Sequence, residues 1–66
     1  MTITLNGEKK TLDAEVTVAD LIRASGQTGN GVAVAVNMAF VPRSTHATTI
    51  VHDGDNVEIV EPRQGG

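Results

Sequence analysis

The chain alternates strictly at Val32-Ala33-Val34-Ala35-Val36-Asn37. Successive side chains of a β-strand point to opposite faces, so the three valines share one face and the two alanines and the asparagine share the other. β-Branched residues also favour strands. The segment therefore predicts a strand whose valines face a core and whose alanines face away from it.

Two further strands precede this segment and are predicted to form a hairpin. Residues 1–6 alternate, with Ile3 and Leu5 on one face, and residues 9–12 return as the second strand. Asn6-Gly7 lies between them. This pair is typical of a two-residue hairpin turn, because both central positions of that turn need positive φ.

A short helix is predicted over Val18 to Ser25. Its apolar residues recur at i, i+3 and i+4, which gives a single apolar stripe. Thr17 can cap the N-terminus, with Asp20 three residues further on, and Gly26 follows where glycine commonly ends a helix. A helix of this length is unstable alone, so we expect it to pack on a sheet.

The C-terminal half is predicted to add shorter strands. Phe40-Val41 begins a strand that the following proline stops, since proline cannot donate to a ladder. Residues 43–47 are predicted to be irregular, and residues 48–51 to form a brief strand or bridge. Asp53-Gly54-Asp55 is predicted to be a turn, and residues 56–60 the last strand.

These elements predict an α+β fold in which one sheet of four to five strands carries the helix across one face. Residues 1–60 form the predicted domain, and residues 61–66 a flexible C-terminal tail. The predicted core comprises Ile3, Leu5, Leu12, Val18, Leu21, Ile22, Val34, Val36, Val57 and Ile59.

Composition limits the class of protein. The chain has 66 residues, a net charge of −3 and no cysteine, so its stability must come from an apolar core. The acidic balance argues against nucleic acid or an anionic membrane as a partner. We find no apolar run long enough for a membrane span and no basic leader, so a cytoplasmic location is expected.

Catalytic and metal-binding patterns are not recognisable in the sequence. His46 and His52 have no spaced carboxylate pair beside them, and both are predicted to be solvent-exposed. The serines lie in no nucleophile pattern. Residues 26–31 are rich in glycine, but they follow a helix and lack Gly-Lys-Ser/Thr, which argues against a phosphate-binding loop. We therefore expect no metal and no bound cofactor.

The last two residues of the sequence are Gly65-Gly66, and the C-terminal carboxyl group of Gly66 is the candidate reactive group. Glycine has no Cβ, so such a terminus can lie flat in a narrow enzyme site. The carboxylate becomes reactive if it attacks the α-phosphate of ATP to give an acyl-adenylate, which needs Mg²⁺ and a partner's cationic site. Six extended residues from Glu61 span roughly 20 Å, enough to enter a buried site.

Two groups of residues are candidates for a partner interface. Ala33 and Ala35 form a small-residue surface that can admit a partner's side chains, and Phe40 belongs either to the core or to that surface. An acidic group near the tail is either a solvated turn or a docking surface, and both interpretations stay open. Its members are Asp53, Asp55, Glu58 and Glu61.

Several of these features together are characteristic of one family. Val36-Asn37 is followed by Phe40-Val41-Pro42-Arg43, the Asp53-Gly54-Asp55 turn precedes the last strand, and Gly65-Gly66 ends a short chain. In these motifs, in its order of elements and in its length, the whole chain resembles the ThiS family, the sulfur carriers of thiamine biosynthesis.

The resemblance implies a ubiquitin-like β-grasp fold, with the first and last strands parallel and central in a mixed sheet. It also implies that an E1-like enzyme with ATP and Mg²⁺ adenylates the Gly66 carboxylate. A sulfurtransferase or cysteine desulfurase then supplies sulfur for a thiocarboxylate, which a thiazole synthase consumes. On this basis the chain is a carrier, not an enzyme.

The resemblance further suggests tail-recognition roles for Gly65 and Gln64, and makes Arg43 an additional interface candidate. Gln64 departs from the small or apolar residues common at that point of such tails.

Three alternatives stay open. The small subunit of molybdopterin synthase has the same carboxyl chemistry and the same fold, although those chains are typically longer. A ubiquitin-like protein modifier forms isopeptide bonds to lysines of other proteins. A ubiquitin-like binding module uses its surface alone, and its terminal glycines are incidental.

Overall fold

The computed structural model of the chain describes residues 1–26 and 31–61. Its elements, in chain order, are β1 Thr2–Leu5, β2 Glu8–Thr11, β3 Val16–Thr17, α1 Val18–Ala24, β4 Ala33–Val36, β5 Ala39–Val41, a 3₁₀ turn Arg43–Thr45, β6 Ile50–Val51 and β7 Asn56–Val60.

Within the described residues a five-stranded sheet has the order β2-β1-β7-β4-β5, and a separate two-stranded sheet pairs β3 with β6. The central strands β1 and β7 run parallel, whereas every other pair of neighbours is antiparallel. The mixed sheet with its first and last strands central is therefore confirmed.

The N-terminal hairpin closes at the predicted turn. Asn6 has φ 52° and Gly7 has φ 83°, which are the positive values that this turn requires. The strand β2 begins one residue earlier than predicted and ends before Leu12, which lies half-buried beside the core. The turn residues thus fix the register of β1 against β2, with Leu5 opposite Glu8.

The helix α1 begins with a complete capping box. The Asp20 backbone N–H donates to Thr17 Oγ1 over 3.1 Å, and the Thr17 backbone N–H donates to Asp20 Oδ2 over 3.0 Å. Ser25 is the C-cap, and Gly26 follows with φ 80°. The helix ends one residue earlier than predicted, and both of its predicted end signals are confirmed.

The capping box makes stability depend on pH. The Thr17 backbone N–H, then its hydroxyl, and then the nearby Arg23 lower the pKa of Asp20 below its ordinary value of 3.8. A lowered folded-state pKa gives stability that is present above the ordinary pKa and is lost as the pH falls through the folded value.

We therefore expect Asp20→Asn to lower the melting temperature at neutral pH. In acid, where the wild-type carboxyl is also protonated, the difference between the two proteins should shrink. Circular dichroism melts of both proteins across this range test it, and an equal difference at every pH would contradict the assignment.

The core lies between the helix and one face of the sheet. Its fully buried members are Ile3, Val18, Leu21, Val34, Val41, Val51, Val57 and Ile59. Four residues predicted for the core are instead half-buried against its edge, namely Leu5, Leu12, Ile22 and Val36. Val41 and Val51 were not predicted as core residues, because each lies in a strand too short to show an alternating pattern.

His46 is buried, so the prediction that it is solvent-exposed is wrong. Its Nε2 lies 3.1 Å from the Val41 carbonyl oxygen, and its own carbonyl accepts from the Ala19 N–H at the start of α1. The 3₁₀ turn after Pro42 brings the ring back to the end of β5 and brings the backbone carbonyl of His46 to the start of α1. His52 is exposed, as predicted.

No helix in residues 1–26 or 31–61 has both the length and the apolar character needed to cross a membrane.

Candidate functional site

The face of the large sheet opposite α1 carries a contiguous group of small and apolar side chains. Directly opposed residues of an antiparallel pair project on the same side. Phe40 is paired with Ala35, and Ala35 with Glu58, while Ala33 is paired with Val60. We call Ala33, Ala35, Phe40, Glu58 and Val60 the outer face.

Large apolar side chains on the outer face are strongly exposed. Phe40 is 69% exposed and Val60 is 58% exposed. These two side chains lie on β5 and β7, with the alanines of β4 between them. An exposed group of apolar residues on a sheet can mark a binding surface. The structure thus resolves the open question about Phe40, which lies outside the core and beside Ala35.

Two of the acidic candidates hold the turn before β7. Asp53 Oδ1 accepts from the Thr2 N–H over 2.6 Å. Asp55 Oδ2 accepts from the His52 N–H over 2.8 Å, and its Oδ1 accepts from Asn37 Nδ2 over 3.0 Å. These carboxylates therefore have bonding roles within the fold, whatever further part they have in docking.

The acidic candidates are spread along β7. Asp53 and Asp55 precede this strand, Glu58 lies within it on the outer face, and Glu61 follows it. Glu61 lies six positions after Asp55, which corresponds to roughly 20 Å along an extended strand. The structure therefore brings Glu58, but not the two aspartates, next to the apolar part of the outer face.

The remaining predicted site residues are placed as follows. Arg43 is exposed and begins the 3₁₀ turn directly after Pro42. Gln64, Gly65 and Gly66 lie outside the described residues, as does most of the predicted tail. Glu61, which follows β7, is the last residue described, and β7 is the central strand of the sheet.

Two residues of this region were not singled out from the sequence. Val60 was assigned to the last strand, and the inward direction of its neighbours Val57 and Ile59 was the available signal that it faces outward. Asn6 was assigned only a turn role, but its side chain bonds to Ile59 at the far end of β7. A local sequence pattern cannot predict a hydrogen bond between two residues that lie 53 positions apart in the chain.

The described residues also form a groove on the helix side of the sheet. Among them, no cluster of three histidines, aspartates or glutamates could hold a metal ion. The groove, of about 460 Å³, runs between the N-terminal hairpin and α1, and its charged lining residues are Glu8 and Lys10. A nucleophile with an oriented base is not found in its lining.

Comparison with known proteins agrees with this geometry. The model of the ThiS family matches residues 3–66, which is nearly the whole chain. The chain belongs to the ThiS family. Its fold is therefore the ubiquitin-like β-grasp, as the order and directions of the strands already indicated.

Relatives of the family cover the chain from end to end. It is 35% identical over 66 residues to the sulfur carrier protein ThiS of Escherichia coli, with 100% of both chains aligned. The crystal structure of the thiamine biosynthesis protein ThiS from Geobacter metallireducens superposes with a TM-score of 0.82 at 32% identity, again with 100% of both chains covered.

A second kind of relative is much longer. The chain is 39% identical over 66 residues to a thiazole synthase of Paramagnetospirillum magneticum, and it spans 20% of that protein. It spans the same share of a thiazole synthase of Magnetococcus marinus, at 35% identity. These two thiazole synthases, which are about five times as long, thus each contain a segment similar to the whole of this chain.

Proposed function

We propose that the chain is a sulfur carrier of thiamine biosynthesis, whose Gly66 carboxylate is the group that carries the sulfur. The observation that supports this most strongly is the end-to-end similarity to the sulfur carrier protein ThiS of Escherichia coli. The absence of cysteine from the sequence agrees with it, since sulfur then has no thiol of this chain on which to travel.

The proposed chemistry takes place in partner enzymes. An E1-like enzyme with ATP and Mg²⁺ converts the carboxylate into an acyl-adenylate with release of pyrophosphate. A sulfurtransferase or cysteine desulfurase supplies the sulfur as an enzyme persulfide, whose terminal sulfur displaces AMP to give an acyl disulfide. A thiol then cleaves that S–S bond, which leaves the thiocarboxylate on the carrier and the thiol in a new disulfide. The carrier contributes a folded body for recognition and a terminus to be modified, and the exposed apolar side chains of the outer face suit such recognition. A cytoplasmic location remains a prediction.

Thiazole synthase is the proposed acceptor of the sulfur. The long relatives that contain a segment similar to this chain are themselves thiazole synthases. This favours the thiazole pathway over the molybdopterin pathway, because a carrier-like segment and its acceptor gain effective concentration when they share one polypeptide.

Intact-protein mass spectrometry tests the proposal. The chain is incubated with ATP, Mg²⁺, the activating enzyme and a sulfur source, and the mass of the intact chain should rise by the replacement of one oxygen by sulfur. A reaction without ATP is the control. An unchanged mass would contradict the proposal. If the chain rescues a molybdenum-cofactor auxotroph instead of a thiamine auxotroph, it is a carrier of the molybdopterin pathway.

We propose that the outer face is the surface that partner enzymes recognise, with Phe40 of the edge strand β5 as its aromatic anchor. Phe40→Ala should weaken binding to thiazole synthase about tenfold or more, because exposed aromatic residues are frequent anchors of interfaces. Its effect on the free energy of unfolding should stay within about 0.5 kcal/mol, since the ring is exposed.

Met38→Ala is the matched control for this variant. Met38 is 87% exposed, lies in the turn between β4 and β5, and is not part of the outer face. Isothermal titration calorimetry of both variants with thiazole synthase measures the effect. Equal affinities for wild type and Phe40→Ala would remove Phe40 from the interface.

A further inference from the structure

The end of β7 is held differently on its two sides. On the β4 side, pairing continues to the last strand residue, with Ala33 opposite Val60. On the β1 side, strand pairing stops at Leu5 opposite Val57, because the hairpin turns away at Asn6-Gly7. Residues Glu58 to Val60 therefore have no strand neighbour on that side.

The Asn6 side chain takes the place of the missing strand. Its Nδ2 donates to the Ile59 carbonyl oxygen over 3.1 Å, and the Ile59 N–H donates to its Oδ1 over 2.8 Å. The Asn6 backbone N–H donates to the Val57 carbonyl over 2.9 Å. A side-chain amide has the same donor and acceptor groups as a peptide unit, so it continues the parallel ladder by one step.

Position 6 makes two demands that asparagine meets together. The backbone has φ 52°, which favours glycine, asparagine or aspartate. The bonds to Ile59 need one donor and one acceptor on a short side chain, which glycine lacks and which an ionised aspartate supplies only in part. Sequence alone explains the turn, but the second demand comes from a strand at the other end of the chain.

Asn37 makes the matching arrangement at the start of β7. It has φ 51°, its Oδ1 accepts from the Asn56 N–H over 2.9 Å, and its Nδ2 donates to Asp55. Two turn asparagines with the same backbone conformation therefore hold the two ends of one strand. They differ in position, since Asn37 holds the entry to β7 and Asn6 holds its exit.

We propose that Asn6 is a positioning residue for the C-terminal segment, because its amide holds Ile59 and so fixes where and in which direction the chain leaves β7 after Val60. The functional consequence rests on the proposed function. A carrier whose β7 end is released samples several exit directions, and only the competent fraction can dock with its terminus in the activating enzyme. Apparent affinity falls by that fraction, whereas chemistry in the assembled complex does not change.

The test compares Asn6→Gly with Asn37→Gly. Both variants retain a residue suited to positive φ, and both lose a side chain that bonds to β7. For Asn6→Gly we expect amide hydrogen exchange at Ile59 to become about tenfold faster, because the Ile59 N–H loses its hydrogen bond to the Asn6 side chain. The KM of the E1-like enzyme for the carrier, measured by ATP–pyrophosphate exchange, should rise about tenfold with kcat within about twofold.

Asn37→Gly should accelerate exchange at Asn56 and leave KM near the wild-type value. Asn6→Asp is a second variant in case Asn6→Gly lowers global stability too far. It should also raise KM, because its carboxylate cannot donate to the Ile59 carbonyl. Urea unfolding curves establish that each variant is folded under the assay conditions.

Three results would overturn the inference. The first is a wild-type KM in Asn6→Gly, with or without faster exchange at Ile59. The second is an equal rise of KM in Asn6→Gly and Asn37→Gly, which would indicate a general loss of stability. The third is a wild-type chain that the enzyme does not activate. This last result removes the proposed function itself, and it is distinguishable because exchange at Ile59 is measured without any enzyme.

Discussion

Removal of Gly65 and Gly66 is expected to abolish sulfur loading of the chain. Two residues of extended chain span roughly 7 Å, so the truncated chain has that much less reach. Its terminal carboxylate belongs to Gln64, whose side chain is too large for a narrow site that fits glycine. The carboxylate is the proposed site of every covalent step, so activity should fall to the background of the assay. Intact-protein mass spectrometry and growth of a thiamine auxotroph carrying the truncated chain both measure the loss.

A second variant separates chain length from side-chain size. Replacing both glycines with alanine keeps the length and the terminal carboxylate and adds two Cβ atoms. We expect this variant also to lose most of its loading, by the steric argument alone. The fully buried core residues lie between Ile3 and Ile59, so the unfolding midpoints of both variants should equal that of wild type. Normal vitamin output from the truncated chain would refute the proposed role of Gly66.

The sequence predicts the elements that have a local signal. Strict alternation predicted β4 and β7, Asn6-Gly7 predicted the hairpin turn, and Thr17 with Asp20 predicted the helix start. All of these are confirmed within about one residue at their ends. Local signals suffice for them because strand alternation, positive φ and capping each depend on neighbours along the chain.

Other parts of the fold have a weak local signal or none. The strand β3 was not predicted, and β6 was predicted as a brief strand or bridge over residues 48–51. Each contains two residues, and they pair through Val16 and Val51. The burial of His46 depends on the Val41 carbonyl, which becomes its partner only after the 3₁₀ turn folds back. Two residues cannot show a period, and a histidine in a polar stretch looks solvent-exposed until its tertiary partner is known.

The candidate site divides in the same way. Ala33 and Ala35 could be placed on the outer face from alternation, whereas the exposed positions of Phe40 and Val60 became definite through strand pairing. The bonds from Asn6 to Ile59 required the parallel contact between the first and last strands. The terminal glycines lie outside the described residues, so their role is a proposal from chemistry and family membership.

Leu21→Ala is expected to give the largest loss of stability among the single substitutions considered for this chain. Leu21 is 5% exposed and is one of two buried residues of α1, the other being Val18. A seven-residue helix cannot persist alone, so its attachment depends on these side chains. Truncation of a buried leucine removes its transfer free energy and leaves a cavity, at a cost of about 2–5 kcal/mol.

That cost is comparable to the whole stability of so small a domain, about 3–10 kcal/mol by its length. We therefore expect Leu21→Ala to unfold at a much lower urea concentration, or to lose cooperative unfolding altogether. Leu12→Ala is the matched control, because it removes the same atoms from a half-buried position at the edge of the core. Its loss should be clearly smaller. The destabilisation expected for Leu21→Ala follows directly from the burial of Leu21, since its truncation leaves a cavity. If both variants unfold at the wild-type midpoint, the contact between α1 and the sheet does not hold the fold together.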